Sequence, residues 1–237
     1  MKKAASMTGR VSAIVSAYYA EPYLKGRIEN LLDQDEHPEI IAICRNGSVE
    51  HKILEDNEWA DRITYILTDD TPSVYQAWNI GIKAASRKYV TNANCDDRLY
   101  AGALKSMADI LDKESTYGVV YSDIHIVTEI GKEPEGVFKW MEGGLKELLT
   151  GCFLGPMPMW RKSLHDRFGY FDEFYKSAGD YEYWMRLASN GVKFYKIRGA
   201  VVGAYLKRQN SVEAREPLLS LWEANHARLK YREVANA

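Results

Sequence analysis

Two adjacent carboxylates that follow an apolar run are the residues of this sequence best suited to chemistry. Asp96 and Asp97 come directly after residues 89–93, which have the pattern of a buried strand, and Asn94 lies just before them. Neighbouring carboxylates repel each other, and Mg²⁺ or Mn²⁺ relieves that repulsion because both ions prefer oxygen ligands. In open α/β sheets, ligands collect at the carboxyl ends of the strands. The segment therefore indicates a divalent-cation site, with an acidic turn as an equally weighted alternative.

A third acid, Asp180, stands where a helix is predicted to begin. Tyr181, Trp184, Met185 and Ala188 follow it at helical spacing. The unpaired N–H groups of a helix N-terminus favour a carboxylate, so a plain helix cap is the commoner interpretation. The functional interpretation is a general base, which must reach a substrate hydroxyl.

The first half of the sequence has the alternating pattern of a parallel sheet covered by helices. Strands are predicted at 11–17, 40–44, 63–67 and 89–93. Helices are predicted at 22–32, 48–59, 73–85 and 103–111, the third of them beginning with a Ser73–Gln76 capping box. This order predicts an α/β fold with a mostly parallel central sheet, whose four strand tips meet at one edge.

The second half is less regular and predicts a smaller mixed lobe. Strands are predicted at 117–127 and, one or two of them, within 194–205, and helices at 145–149 and 212–231. Between these elements we expect a flexible loop at 131–144, an extended or edge segment at 155–160 and a turn at 169–173. We expect a polar leader at 1–10, a single domain at 11–210 made of halves 11–115 and 116–210, and a C-terminal helical segment at 211–237.

Composition excludes several classes of function. The net charge of −2 gives no basic field for nucleic acid, so no nucleic-acid partner is expected. Three widely spaced cysteines form neither a disulfide framework nor a zinc pattern, which favours a reducing, cytoplasmic compartment. The loop after the first strand lacks the Gly-rich run of dinucleotide-binding proteins and P-loop enzymes.

Three segments in this order resemble the GT-A glycosyltransferases of family 2. They are Tyr75 to Ile82, Asn94 to Asp97, and Gly169 to Trp184, and the resemblance extends over residues 11–210. It implies a GT-A fold and inverting, metal-dependent transfer of a sugar from a nucleotide-sugar donor to a hydroxyl of a glycan or lipid-linked acceptor. A hexosyl- or N-acetylhexosaminyltransferase active in polysaccharide biosynthesis is the type of enzyme expected.

The resemblance also implies roles for individual residues. Asp180 falls at the position of the catalytic base, while Asp96 and Asp97 would hold a Mn²⁺ or Mg²⁺ ion. The residues expected to bind the donor are Ala17, Tyr18, Tyr19, Asn46, Asn79, Asn94 and Asp96. Tyr18 matches an aromatic side chain that packs on the nucleotide base, and Asn94 replaces the first acid of the family's Asp-x-Asp motif.

The sequence departs from the family pattern in two loops. Ser16-Ala17-Tyr18-Tyr19 replaces the usual Pro-Thr-Tyr-Asn, and Arg45-Asn46-Gly47-Ser48 replaces Asp-Asp-Gly-Ser. Asn46 could accept the imide N–H of uracil through its carbonyl, so a UDP-sugar remains the first expectation. The Gln-x-x-Arg-Trp pattern of polymerising relatives is absent, which favours one sugar per encounter.

Two alternatives remain open. Asn94 and Arg45-Asn46 favour a non-catalytic sugar-nucleotide-binding or assembly module, while the joint presence of Asp96, Asp97 and Asp180 favours an enzyme. The final helix carries an apolar cluster near several basic residues, which could contact the inner face of the cytoplasmic membrane or a second subunit, although packing on its own domain is more common.

Overall fold

The first half of the chain forms the predicted parallel sheet. A computed structural model describes residues 9–208 and 212–234. The first eight residues of the predicted leader lie outside the described residues, and so do positions 211 and 235–237 of the predicted C-terminal segment. The strands of this half are β1 (Val11–Ser16), β2 (Glu39–Arg45), β3 (Thr64–Thr68) and β4 (Tyr89–Asn92). They pair in the order β3-β2-β1-β4, always in parallel, which confirms the α/β prediction.

Four helices connect and cover these strands. They are α1 (Glu21–Leu32), α2 (Val49–Glu55), α3 (Val74–Ala84) and α4 (Ala103–Lys113). Ser73 and Gln76 form the predicted capping box at the start of α3. The prediction that α2 continues to Trp59 is wrong: the Asn57 side chain bonds the carbonyl of Ile53, and this competes with another helical turn.

The second half extends the same sheet with mixed pairing. Its strands are β5 (Arg98–Leu99), β6 (Tyr117–Val127), β7 (Gly136–Phe138), β8 (Met159–Arg161) and β9 (Lys193–Leu206). Strand β8 pairs antiparallel with both β4 and β6, and β6 pairs in parallel with β9. The helices of this half are α5 (Leu145–Leu148), α6 (Ser163–Phe168) and α7 (Gly179–Ser189).

Two predictions for the second half need correction. The loop at 131–144 contains β7, which pairs with the end of β6. The segment at 155–160 is not an edge segment, because its last residues begin β8, which lies inside the sheet. Both prolines of the segment precede the strand, and the carbonyl of Pro158 accepts a hydrogen bond from the Thr91 hydroxyl at 2.8 Å, so neither proline interrupts the pairing.

The C-terminal segment is two helices where one was predicted. Helix α8 (Val212–Arg215) ends just before α9 (Pro217–Arg232), because Pro217 cannot continue a helix that precedes it. Helix α9 buries Glu223, Ala227 and Tyr231, whereas Leu218 on its other face is 81% exposed. None of the helices in the described ranges is long and apolar enough to cross a membrane.

Two apolar clusters lie on opposite faces of the sheet. One includes side chains of α1 and α4, and the other includes side chains of α3, α7 and α9. Helix α3 approaches β1 closely at Gly81, where an added Cβ would lie 2.4 Å from Ile14 Cγ2. The absence of a side chain at this position therefore sets the distance between α3 and the sheet.

Candidate active site

A cavity of about 710 Å³ opens where the first strands end, and it brings together acids from distant parts of the sequence. Asp96, after β4, and Asp180, at the start of α7, both line it. They are the two carboxylates among the described lining residues. Other lining side chains that matter for its chemistry are Tyr18, Tyr75, Lys176, Arg208, Arg215 and Arg228.

Asp96 is paired with a cation supplied by the other half of the chain. Its Oδ2 lies 2.5 Å from Nη2 of Arg208, two residues beyond the end of β9. Strand β9 reaches this position because it pairs with β5, and at Gly203 an added Cβ would lie 2.4 Å from the carbonyl oxygen of Arg98. The close crossing of β5 and β9 therefore places Arg208 over the acidic strand tip.

Asp97 points into the protein instead of into the cavity. It is 1% exposed, and its carboxylate accepts bonds from the backbone N–H of Leu206 and from Nδ2 of Asn94, both at 3.3 Å. Burial, followed by the nearby charge of Asp96, raises the pKa of Asp97 to about 7, although the guanidinium of Arg27 opposes the shift. The position of this side chain suits a structural tie between the strand tip and β9.

Asp180 is held by the helix that it begins and by one tyrosine. Its Oδ1 accepts a bond from the backbone N–H of Tyr181 at 2.8 Å and from the Tyr75 hydroxyl at 3.1 Å. The same hydroxyl lies 2.8 Å from the carbonyl oxygen of Ser177, so its one proton is shared between the two acceptors. Gly179 permits this contact, since an added Cβ would lie 2.8 Å from the Tyr75 ring. Tyr75 thus fixes both the acid and the segment that leads to it.

A buried glutamate of α9 anchors the segment before Asp180. Glu223 is 2% exposed and accepts three backbone N–H bonds, from Lys176 at 2.9 Å, Ser177 at 2.8 Å and Ala178 at 2.9 Å. Bonds to an ionised acceptor are stronger than neutral ones, so this carboxylate holds the turn firmly. Helix α9 therefore contributes to the position of the acid, although Glu223 lies 43 positions further along the chain than Asp180.

The first loop brings one of its three candidate residues into the cavity and a second to its rim. Tyr18 lines the cavity, and its hydroxyl lies 2.9 Å from Thr68 Oγ1 at the end of β3. Burial raises the pKa of Tyr18 to about 12, so the hydroxyl stays neutral. Tyr19 lies beside it with 88% exposure and a φ of +53°, a conformation that is costly for a tyrosine and often found at ligand sites. Ala17 is fully buried, and its N–H bonds the carbonyl of Ile43.

The three asparagines proposed for the donor lie in different surroundings. Asn94 lines the cavity beside Asp96. Asn46 is exposed in the turn after β2 and is not among the described lining residues. Asn79 is 2% exposed, and its amide bonds both the N–H and the carbonyl of Phe171 and the carboxylate of Glu173. The structure thus brings Asn94 to the acids but uses Asn79 to hold the 169–173 turn.

The donor atoms at the strand tip suit a hard cation that takes most of its ligands from substrate and water. No group of three or more His, Cys, Asp or Glu side chains within 9–208 and 212–234 forms a complete metal site. Asp96 is the carboxylate at the strand tip that faces the cavity. Mg²⁺ commonly binds through one or two carboxylates together with substrate phosphates, so one facing acid fits such an ion.

Sequence reasoning gave no role to three residues that shape this site. Tyr75 lies in a segment that carried the resemblance, but its contact with Asp180 depends on a fold that joins positions 105 residues apart. Glu223 and Arg228 come from the C-terminal helix, for which the sequence indicated packing on its own domain or a membrane or subunit contact, but no part in the site. A glutamate within an apolar helical stripe was the one available signal for Glu223.

Comparison with known proteins agrees with the geometry. The family model described as glycosyl transferase family 2 matches residues 12–169. An uncharacterised glycosyltransferase of Rickettsia conorii is 25% identical over 190 residues, which is 75% of this chain and 31% of the relative. The chain therefore spans about a third of the length of that relative.

Solved structures show the same fold. TarS 1–349 of S. aureus in complex with UDP superposes with a TM-score of 0.71 at 19% identity, covering 92% of this chain and 64% of the other. Mannosyltransferase PcManGT from Pyrobaculum calidifontis, in complex with GDP-Man and Mn²⁺, superposes with a TM-score of 0.67 at 15% identity, and the match covers 92% of this chain and 64% of the other. These likenesses confirm the predicted GT-A fold.

Proposed function

Because the chain belongs to glycosyl transferase family 2, we propose that it transfers one sugar from a nucleotide-sugar donor to an acceptor hydroxyl, with inversion at the anomeric carbon. One observation supports this most directly: Asp96 and Asp180, 84 positions apart in the sequence, line one cavity beside Arg208. A direct displacement needs a group that binds the leaving diphosphate and a base on the opposite side, and these residues offer both.

In the proposed reaction Asp180 is the general base. The acceptor hydroxyl would give its proton to the Asp180 carboxylate as its oxygen bonds to the anomeric carbon and the bond to the diphosphate breaks. The backbone N–H of Tyr181 and the Tyr75 hydroxyl keep this carboxylate in place before the reaction. Tyr75 and Glu223 are positioning residues, since they act through Asp180.

The donor would bind on the side of Asp96. The Arg208 guanidinium is positioned to turn from Asp96 toward the diphosphate, to which arginine can donate two parallel bonds. Asp96 would hold a divalent cation, with Asn94 beside it, and such an ion stabilises the negative charge that develops on a leaving diphosphate. Tyr18 offers an aromatic face for the base, and the UDP complex of the S. aureus neighbour makes a UDP-sugar the first donor to test.

The proposal is tested by comparing purified wild type with Asp180→Asn in a nucleotide-release assay. UDP- and GDP-sugars are supplied with Mn²⁺ and a panel of glycan acceptors. We expect donor binding to change by less than about twofold and turnover to fall about 10²-fold or more, as for loss of a general base. Asp33→Asn, an exposed acid after α1, is the matched control.

Two results would contradict the proposal. Full turnover by Asp180→Asn would remove the base assignment. Donor binding without any release of nucleotide by the wild type, with or without acceptors, would instead favour the non-catalytic binding module.

A further inference from the structure

The cavity is lined by more cationic than acidic side chains, and most of the cations lie away from the proposed donor side. Four cationic side chains line it, against the carboxylates of Asp96 and Asp180, in a chain whose net charge is −2. The four are Lys176, Arg208, Arg215 and Arg228. Such a concentration of one sign in a cleft attracts ligands of the opposite sign.

Arg208 belongs to the donor side, because it is paired with Asp96. The other three form what we call the cationic patch: Lys176, Arg215 and Arg228. Lys176 lies four residues before Asp180, and the two arginines come from α8 and α9. The patch is therefore built from the segment that leads to the proposed base and from the C-terminal helices, whereas the donor side is built from the strand tips.

Two members of the patch have no structural partner that explains their charge. No carboxylate of the described residues lies within ion-pair distance of Lys176 or Arg215, and both side chains are exposed at the cavity. Arginine or lysine in a structural role usually contacts a carboxylate, as Lys230 does with Glu182 at 2.8 Å. These two positive charges are accordingly available to a ligand.

Arg228 is fixed with its guanidinium against the cavity. Its Nε donates to the Tyr181 hydroxyl at 3.0 Å, and its Nη1 donates to Asn225 Oδ1 at 2.9 Å. The guanidinium carbon lies 5.5 Å from the centre of the Tyr181 ring. Both contacts orient the group and leave its charge uncompensated, so a ligand meets a pre-positioned cation.

We propose that the cationic patch binds a negatively charged group of the acceptor, a phosphate or a carboxylate close to the hydroxyl that reacts. This inference rests on the proposed function, since it places the acceptor beside Asp180. In the proposed donor complex, a divalent cation on Asp96 together with Arg208 would offset the charge of the diphosphate, which leaves the patch for a different anion. An acceptor anion provides the opposite charge and gives specificity against neutral sugars.

The test measures binding of three matched sugars to the protein saturated with UDP and Mg²⁺, by isothermal titration calorimetry. The probes are glucose, glucuronate and glucose 6-phosphate, which share one ring and differ in charge. We expect at least one anionic probe to bind about tenfold or more tightly than glucose, equivalent to about 1.4 kcal/mol. The two charged probes distinguish a carboxylate from a phosphate.

The Lys176→Ala/Arg215→Ala double variant removes two of the three cations of the patch, so its preference for the anionic probe over glucose should fall to about threefold or less. Both side chains are exposed, so we expect the variant to keep the thermal unfolding midpoint of the wild type. The control Lys132→Ala/Arg198→Ala removes the same charge from exposed positions outside the described lining of the cavity and should keep the discrimination.

The outcomes separate this inference from the proposed function. Equal affinity of the wild type for the three probes, including no measurable binding of any, overturns the inference, and so does the full wild-type discrimination in the double variant. Donor hydrolysis is followed in the same preparations. If the donor is hydrolysed but the three probes bind equally, the glycosyltransferase proposal holds and only the inference about the acceptor fails. If an anionic probe binds more tightly than glucose but the protein neither binds UDP nor hydrolyses a donor, the proposed function is overturned.

Discussion

Replacing Glu223 by glutamine changes one atom of a buried side chain and should loosen the turn that carries Asp180. The carboxylate accepts three backbone N–H bonds, and two of them, from Ser177 and Ala178, end on Oε2. An amide has a single acceptor oxygen. If that oxygen takes the Oε2 position, the amide NH₂ faces the N–H of Lys176, so two donors meet and that bond is lost.

The size of the effect follows from these bonds. Leaving one donor without its partner costs about 1–3 kcal/mol, and two charge-assisted bonds become weaker neutral ones. Lys176 is exposed, so water can reach its N–H and the loss of that bond should cost about 1 kcal/mol; with the two weakened bonds, the total should be about 2 kcal/mol. In a chain of 237 residues this lowers the unfolding midpoint by roughly 4–8 °C.

The assay combines thermal unfolding with steady-state kinetics. The turnover number should fall severalfold while the KM for the donor stays within about twofold, because Asp96 and Arg208 bind the donor from other elements. Glu233→Gln, at the exposed end of α9, removes the same charge and is the control. The reasoning is refuted if Glu223→Gln keeps the unfolding midpoint and the turnover number of the wild type. It is also refuted if only the KM for the donor changes, because the effect would then lie on the side of Asp96 and not at Asp180.

Three further changes test other parts of the structure. The pKa of Asp97 is raised from 3.8 to about 7, so between these values the folded state holds a proton that the unfolded state has lost. The free energy of unfolding of the wild type should therefore fall by about 1.4 kcal/mol per pH unit as the pH rises through this range. Urea unfolding at pH 5, 6.5 and 8 should show the stability of Asp97→Asn increasing relative to that of the wild type. Tyr75→Phe should lower the turnover number about tenfold while the donor KM stays within about twofold, because Asp180 loses one of the bonds that hold it in position. Gly81→Ala should cost about 1–3 kcal/mol in urea unfolding, since its Cβ would overlap Ile14.

Each of these changes has an outcome that contradicts it. Parallel stability curves for wild type and Asp97→Asn would show that the buried carboxyl does not titrate in this range. A wild-type turnover number in Tyr75→Phe would mean that its hydroxyl does not hold Asp180 in its reactive position. A stability gain in Gly81→Ala, as expected for a glycine on an exposed helix surface, would show that the contact between α3 and β1 is loose.

Local sequence signals were sufficient for the elements whose surroundings are simple. Strands β1, β2 and β4 are buried on both faces, so continuous apolar runs identified them, and the Ser73–Gln76 spacing predicted the start of α3. Strand β6 has the predicted bounds because its apolar run stops at residues that leave the core. In these cases the cause of the structure lies within a few residues of the element itself.

Elements defined by distant contacts were harder to predict. Pro156 and Pro158 suggested an edge, yet they precede β8, and only the pairing of β8 with β4 and β6 makes it internal. Asn79 lies next to the buried stripe of α3, and nothing in its spacing distinguishes a donor contact from its bonds to Phe171. The same holds for Asp96 and Asp97: adjacent residues of a turn point in different directions, and the sequence does not state which one faces the cavity.

The internal place of β8 has a practical consequence for dividing this protein. Three residues from position 159 onward complete the hydrogen bonding of β4, although the helical connections suggest that the first half could stand alone. A fragment ending near residue 115 would present the bare backbone of β4 to other molecules and should self-associate. Dissection by truncation is therefore expected to give insoluble halves, and donor and acceptor recognition are better separated by point substitution within the intact chain.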